Sequence, residues 1–208
     1  MRGTLYESPE NHRKELIHIH RDLDFIMNEM KYFHKPWFIS GGWAIDIGLG
    51  QVTREHKDID ICVFREDADL ILDYFKAWDI NVAIPGEHRL EKCTSKAATE
   101  LPRYCFHLFR DKDFVEILLT ERLEGKVIFR KNRNIWMNES DFSLIDNQGR
   151  PYVNPVWQLL FKGINPRKED DHDFNTYLPI MSDEQRVWLS NGLKLMKPES
   201  MWIKELII

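Results

Sequence analysis

Apolar residues recur at three- and four-residue steps across residues 9–33, where Leu16, Ile19, Leu23, Ile26, Met27 and Met30 form one stripe. That spacing predicts an amphipathic helix, which Pro36 stops. WFIS (37–40) reads as a short buried strand, Gly41-Gly42 as a tight turn, and WAIDIGLG as a short helix closed near Gly48 or Gly50. Over residues 58–64, Ile59, Ile61 and Val63 alternate with Asp58, Asp60 and Cys62, the period-2 pattern of a half-buried strand. A second amphipathic helix is predicted over 66–77, and a strand over 81–84 ended by Pro85-Gly86. Three strand-like runs follow, 103–109, 114–120 and 126–130. Asp111-Lys112 and Glu124-Gly125 separate them as turns and predict antiparallel neighbours. Beyond Pro155 the texture becomes helical, with three or four helices. The expected class is therefore α/β (α+β): a mixed β-sheet flanked by helices over residues 1–150, then a helical C-terminal region over 151–208 packing on it.

Composition narrows the possibilities. The 208 residues are 43% hydrophobic and 30% charged, enough to bury a core without disulfide staples. Cys62, Cys93 and Cys105 form no CxxC pair, so neither a zinc knuckle nor a disulfide framework is indicated and a reduced, cytoplasmic setting is expected. The N-terminus is polar and charged, and no apolar stretch approaches the length of a bilayer span, so no membrane partner is expected. A net charge of −5 provides no global basic field for collecting nucleic acid, which is not an expected partner.

Asp58 and Asp60 lie at i and i+2, on one face of the predicted strand. Two such anions repel unless a cation sits between them, and Mg²⁺ with its preference for carboxylate oxygens fits. An isolated pair of this kind more often marks an exposed strand face, where alternating acids are harmless. Gly41-Gly42, between strand and helix, offers backbone N–H groups for phosphate oxygens, and Ser40 adds a hydroxyl. Glu116 stands between Val115 and Ile117 in an apolar strand, where an acid is rare unless paired or metal-bound. Three acids on adjacent strands facing a phosphate-binding turn describe a two-metal phosphoryl-transfer site.

GGWAID (41–46), TREHKDIDI (53–61), the single acid of FVEILL and the later LLFKG together resemble the DNA polymerase beta-like nucleotidyltransferase superfamily. Within it the chain is most similar to the aminoglycoside 2″-adenylyltransferase and lincosamide nucleotidyltransferase type. The similarity is dense over residues 37–64 and sparser over 103–175. It implies that Asp58, Asp60 and Glu116 are catalytic and hold two Mg²⁺, with Glu116 standing where the family more often has Asp. Asp113 is the fallback, on the opposite strand face. It also implies that Lys162 contacts the phosphates of a nucleoside triphosphate; Lys168 in PRKEDDHDF lies one residue off the family spacing. Ser40, Gly41, Gly42, Arg54 and Lys162 are the expected triphosphate cradle. The implied reaction moves a nucleoside monophosphate, AMP from ATP or another NTP, to a hydroxyl of a small molecule such as an aminoglycoside or lincosamide antibiotic, releasing pyrophosphate. The partners are thus the triphosphate and the acceptor, in a monomer or homodimer.

Several features have plainer readings. Arg54 is equally suited to pairing with Asp46, and His56 to orienting a loop. Trp157, Trp188 and Trp202 lie on helical stripes and read as core. His18 and His20 face different sides of their helix and make a poor metal pair. EDDHD (169–173) reads as a solvated helix start, with attraction of a polycationic acceptor as the alternative. Two other activities share the motifs: a toxin-type nucleotidyltransferase acting on tRNA or protein, and a non-catalytic nucleotide-binding protein.

Overall fold

The computed structural model describes residues 23–206, except His88 and Thr94. The chain divides into two compact units, residues 1–34 and 35–208. In the first, the described helix (α1, residues 23–29) buries Leu23 and Ile26, two members of the predicted stripe. The rest of that stripe before residue 23, and His18 and His20, lie outside the described residues.

The second unit is a mixed sheet flanked and followed by helices. Its strands are β1 (Trp37–Ile39), β2 (Asp60–Phe64), β3 (Asp79–Ile84), β4 (Arg89–Lys92), β5 (Cys105–Arg110), β6 (Asp113–Leu123), β7 (Lys126–Ile128), β8 (Trp136–Asn138), β9 (Ser143–Ile145) and β10 (Pro151–Val153). The main path runs β4-β3-β5-β6-β2-β1-β10-β9, and β7 pairs with β6 and β8. Two pairings are parallel, β2 with β6 and β1 with β10. Both β2 and β6 sit mid-sheet, which explains their apolar texture: Ile61, Val63, Val115, Ile117 and Leu119 are all buried.

The turns form where the sequence predicts them. Glu124 and Gly125 both have positive φ, 52° and 74°, as a type I′ two-residue hairpin between β6 and β7 requires. Asp111 (φ 53°) opens the β5–β6 hairpin. The strand expected over 58–64 begins at Asp60; Asp58 lies in a bend before it. The predicted 66–77 helix is a 3-10 turn (Arg65–Asp67) running into α3 (Ala68–Tyr74).

Helix α2 (Gly41–Leu49) ends at Gly50, whose left-handed φ of 71° lets its N–H reach the carbonyls of Asp46 and Ile47. Four helices follow β10: α5 (Pro155–Gly163), α6 (Lys168–Tyr177), α7 (Asp183–Met196) and α8 (Trp202–Glu205), with the short α4 (Glu139–Phe142) earlier. Asn154 caps α5 by accepting from Val156 N–H, with Pro155 in the first turn where its missing N–H costs nothing. Trp157 and Trp202 are buried core residues, whereas Trp188 is half-buried and stacks on Trp157 with centroids 5.8 Å apart. Among the described residues, no helix is long and apolar enough to cross a membrane.

Candidate active site

The site lies where β2, β6 and the β1–α2 turn meet. Parallel pairing sets Asp60 directly opposite Glu116, so the two carboxylates share one face of adjacent strands. The link is tight: Glu116 N–H donates to the Ile59 carbonyl (3.1 Å) and Ser40 N–H to the Asp60 carbonyl (2.8 Å). Asp58 lies before the strand, and its charge adds to the repulsion at Asp60. Its bend is pinned by Trp43, whose indole N–H donates to the Asp58 carbonyl at 3.1 Å, and its own side chain is exposed.

The two glycines are required by what presses on them. A Cβ on Gly41, which also has φ +59°, would fall 1.9 Å from Asp60 Oδ2. One on Gly42 would fall 2.2 Å from an Arg54 guanidinium nitrogen and 2.7 Å from the His56 ring. Bare backbone therefore faces the acids on one side and the Arg54 loop on the other. Gly41→Ala is expected to displace the Asp60 carboxylate by about 1 Å and lower turnover by about 10²-fold, and its left-handed φ to cost about 1–2 kcal/mol of stability. Steady-state kinetics beside a thermal melt checks this; wild-type turnover would show that the glycine serves only the turn.

Electrostatically the site is strained by its own anions. Burial, then the neighbouring Glu116 and Asp58 carboxylates, push Asp60 up to about 8, with Lys162 pulling the other way. Lys162 extends from α5 one turn beyond Gln158, on the same helix face. Gln158 Nε2 donates to Ser40 Oγ at 2.8 Å, and Ser40 is 1% exposed, so that hydroxyl braces the turn against α5.

Arg54 does not pair with Asp46. Its Nε and Nη2 donate to the two oxygens of Asp173 at 2.7 and 3.0 Å, tying the 51–59 loop to α6. Asp46 is taken instead by Thr53 (Oγ1, 2.7 Å) and by His56 Nε2 (2.6 Å), while the His56 ring stacks on Trp43. His56 thus orients the loop, as its sequence context suggests.

Lys162 Nζ sits between Asp170 (2.7 Å) and Asp173 (2.9 Å). Asp170 also accepts from the Arg167 backbone N–H at 2.9 Å, half of a capping box for α6. Burial alone would raise Asp170, yet hydrogen bonds from Arg167 and Lys162 outweigh it and hold that carboxyl at about 2. EDDHD is therefore no free acidic patch. Asp170 and Asp173 are buried under cations, and Asp171 accepts from the Trp202 indole at 2.8 Å. Lys168 is exposed, and Asp113 pairs with Arg110 (3.4 Å) at the far end of the β5–β6 hairpin. Neither joins the carboxylates.

Two neighbours escaped the sequence reading. On the other side of Glu116, β5 places His107 directly opposite it, with Nε2 3.6 Å from Oε2, and Cys105 Sγ donates to Oε1 at 3.2 Å. Counting back from the Asp111-Lys112 turn gives this register, so the signal was present in the hairpin length.

The arrangement sets the facing carboxylates of Asp60 and Glu116 below a glycine turn at a helix N-terminus, within the electrostatic reach of Asp58 and Lys162. Residues 22–176 match the model of the aminoglycoside-2″-adenylyltransferase family. A lincosamide resistance protein of Staphylococcus haemolyticus is 24% identical over 152 residues, covering 73% of this chain and 89% of that protein. The lincomycin-bound lincosamide adenylyltransferase LnuA superposes with a TM-score of 0.55 at 19% identity, covering 77% of this chain and 97% of its own. ANT(2″)-Ia in complex with adenylyl-2″-tobramycin gives 0.56 at 13% identity, over 86% and 98% of the two chains. The structural likenesses show the fold, and the family match spans well over half of the sequence: the chain belongs to the aminoglycoside-2″-adenylyltransferase family of nucleotidyltransferases.

Proposed function

We propose that the protein transfers AMP from ATP to a hydroxyl of an aminoglycoside or lincosamide, releasing pyrophosphate, with two Mg²⁺ held by Asp58, Asp60 and Glu116. The observation that carries this is the facing pair Asp60–Glu116, with Asp60 pushed up to about 8. Burial and like charge leave these acids in need of a cation, and an all-carboxylate donor set suits hard Mg²⁺. Bound there, the ions would neutralise charge on the phosphates. The chain supplies the rest. N–H groups of Gly41 and Gly42 at the start of α2 would meet phosphate oxygens, Lys162 would add a positive charge, and Glu116 would accept the proton of the attacking hydroxyl. Arg54 acts through the loop it anchors, and Ser40 through the turn it braces. The complexes of LnuA with lincomycin and of ANT(2″)-Ia with adenylyl-2″-tobramycin support the choice of acceptor class.

Incubation with labelled nucleoside triphosphates and a panel of aminoglycosides, lincosamides, tRNA and total protein tests the reading. Label on an antibiotic is the expected result; label only on RNA or protein overturns it.

Metal binding has its own signature. An acid whose folded pKa lies above its unfolded value holds its proton more tightly when folded. The stability Asp60 contributes is therefore fully present below about pH 4, its unfolded range, and is lost as pH rises toward 8. Mg²⁺ is expected to raise Tm more at pH 8 than at pH 5. Thermal melts with Mg²⁺ and with a chelator measure this, and equal gains at both pH values would count against the site.

A further inference from the structure

Glu116 has donors of a different kind on its β5 side. Cys105 Sγ, a ring nitrogen of His107 and a Glu116 carboxylate oxygen all lie within 4.8 Å of one another. Two of the separations are 3.2 Å (Sγ to Oε1) and 3.6 Å (Nε2 to Oε2). A tetrahedral Zn²⁺, with bonds of about 2.0–2.3 Å, spaces its ligands roughly 3.3–3.6 Å apart. The two contacts run to different carboxylate oxygens, so one ion would draw the sulfur and the imidazole nitrogen, within 4.8 Å of each other, onto a shared position.

We propose that Cys105, His107 and Glu116 form a second metal site, for a borderline-soft divalent cation of the Zn²⁺ class, sharing Glu116 with the carboxylate cluster. The donor chemistry selects the ion. Thiolate and imidazole suit Zn²⁺, whereas Mg²⁺ prefers oxygen. Binding releases the thiol proton to solvent and forms the metal–sulfur bond. Cys105 is 3% exposed, while the His107 and Glu116 side chains are each 25% exposed, so the sulfur lies deepest and the fourth position opens outward. Without a cation, burial and the Glu116 and Asp60 carboxylates push the Cys105 thiol up, with Arg130 pulling the other way. A consequence follows that rests on the proposed transfer reaction: Glu116 bound to Zn²⁺ is withdrawn from the acceptor hydroxyl, so Zn²⁺ inhibits the Mg²⁺-supported reaction.

Co²⁺, a coloured stand-in for Zn²⁺, tests the site on the full chain in Mg²⁺-containing buffer. The expected result is saturation at one equivalent with a thiolate-to-cobalt band in the near ultraviolet, bleached by Zn²⁺. Cys105→Ser removes the band, and Cys62→Ser and Cys93→Ser retain it. His107→Ala, altered at a partly exposed position, weakens Co²⁺ affinity by roughly tenfold or more even if Cys105→Ser folds poorly. Absence of the band in the wild-type protein, its survival in Cys105→Ser, or unchanged affinity in His107→Ala overturns the proposal. Binding is read without any acceptor. A band in a protein that labels no antibiotic therefore supports the metal site and refutes only the transfer reading.

Discussion

Asp60→Asn is expected to lower turnover by roughly 10³-fold or more while leaving the protein folded. The substitution keeps the side-chain shape that Gly41 makes room for and removes one anionic oxygen from the pair facing Glu116. Its cost falls on the reaction, since a neutral amide cannot replace a carboxylate ligand of a hard cation. The stability effect runs the other way. In the absence of a cation, ionised Asp60 is opposed by burial and by Glu116 and Asp58, so metal-free Asp60→Asn melts at or above the wild-type Tm at pH 8. Adding Mg²⁺ raises the wild-type Tm and leaves that of the variant nearly unmoved. Label transfer from ATP and paired melts measure both halves. Turnover near wild type would remove Asp60 from the chemistry, and an unfolded variant would mean that the carboxylate is structural.

Much of this site could be read along the chain because its signals are local. Gly41-Gly42 between an apolar strand and a helix, and two acids around Ile59, need no tertiary knowledge. Glu116 stood out because Val115, Ile117 and Leu119 around it can only be interior. What stayed hidden depends on contacts between distant segments. Nothing near Arg54 points to Asp173, 119 residues away, so the nearer Asp46 attracted the pairing. Lys162 carries no local sign that Asp170 and Asp173 hold it. The short strands β8, β9 and β10 have three residues each, too few to show a period, and β4 is a charged edge (RLEK) that no hydrophobic pattern marks. Strand alternation does not apply to Asp58, which lies in a bend held by Trp43, before the strand begins at Asp60.

Asp173→Ala is expected to destabilise the protein by about 3–5 kcal/mol, the usual loss when one partner of a buried ion pair is removed. The Asp173 side chain is 1% exposed and receives both Arg54, 22% exposed, and Lys162, 12% exposed. Truncation leaves two cations facing each other across the vacated position. Lys162 retains Asp170, whereas Arg54 loses the contact that fixes the 51–59 loop carrying Asp58. Asp171→Ala, from the same acidic run, loses one hydrogen bond from Trp202 and is expected to cost about 1 kcal/mol. Urea denaturation of both variants separates the two, and a loss below about 1 kcal/mol for Asp173→Ala would show that solvent already screens the pair. Transfer should fall with stability in Asp173→Ala, because the displaced loop bears a carboxylate of the site. In Asp60→Asn the two properties part, activity disappearing while Tm holds. A chain in which both substitutions moved stability and activity together would have one undivided polar core. That divergence would separate the Arg54–Asp173 pair, which ties the 51–59 loop to α6, from the proposed metal ligands Asp58, Asp60 and Glu116.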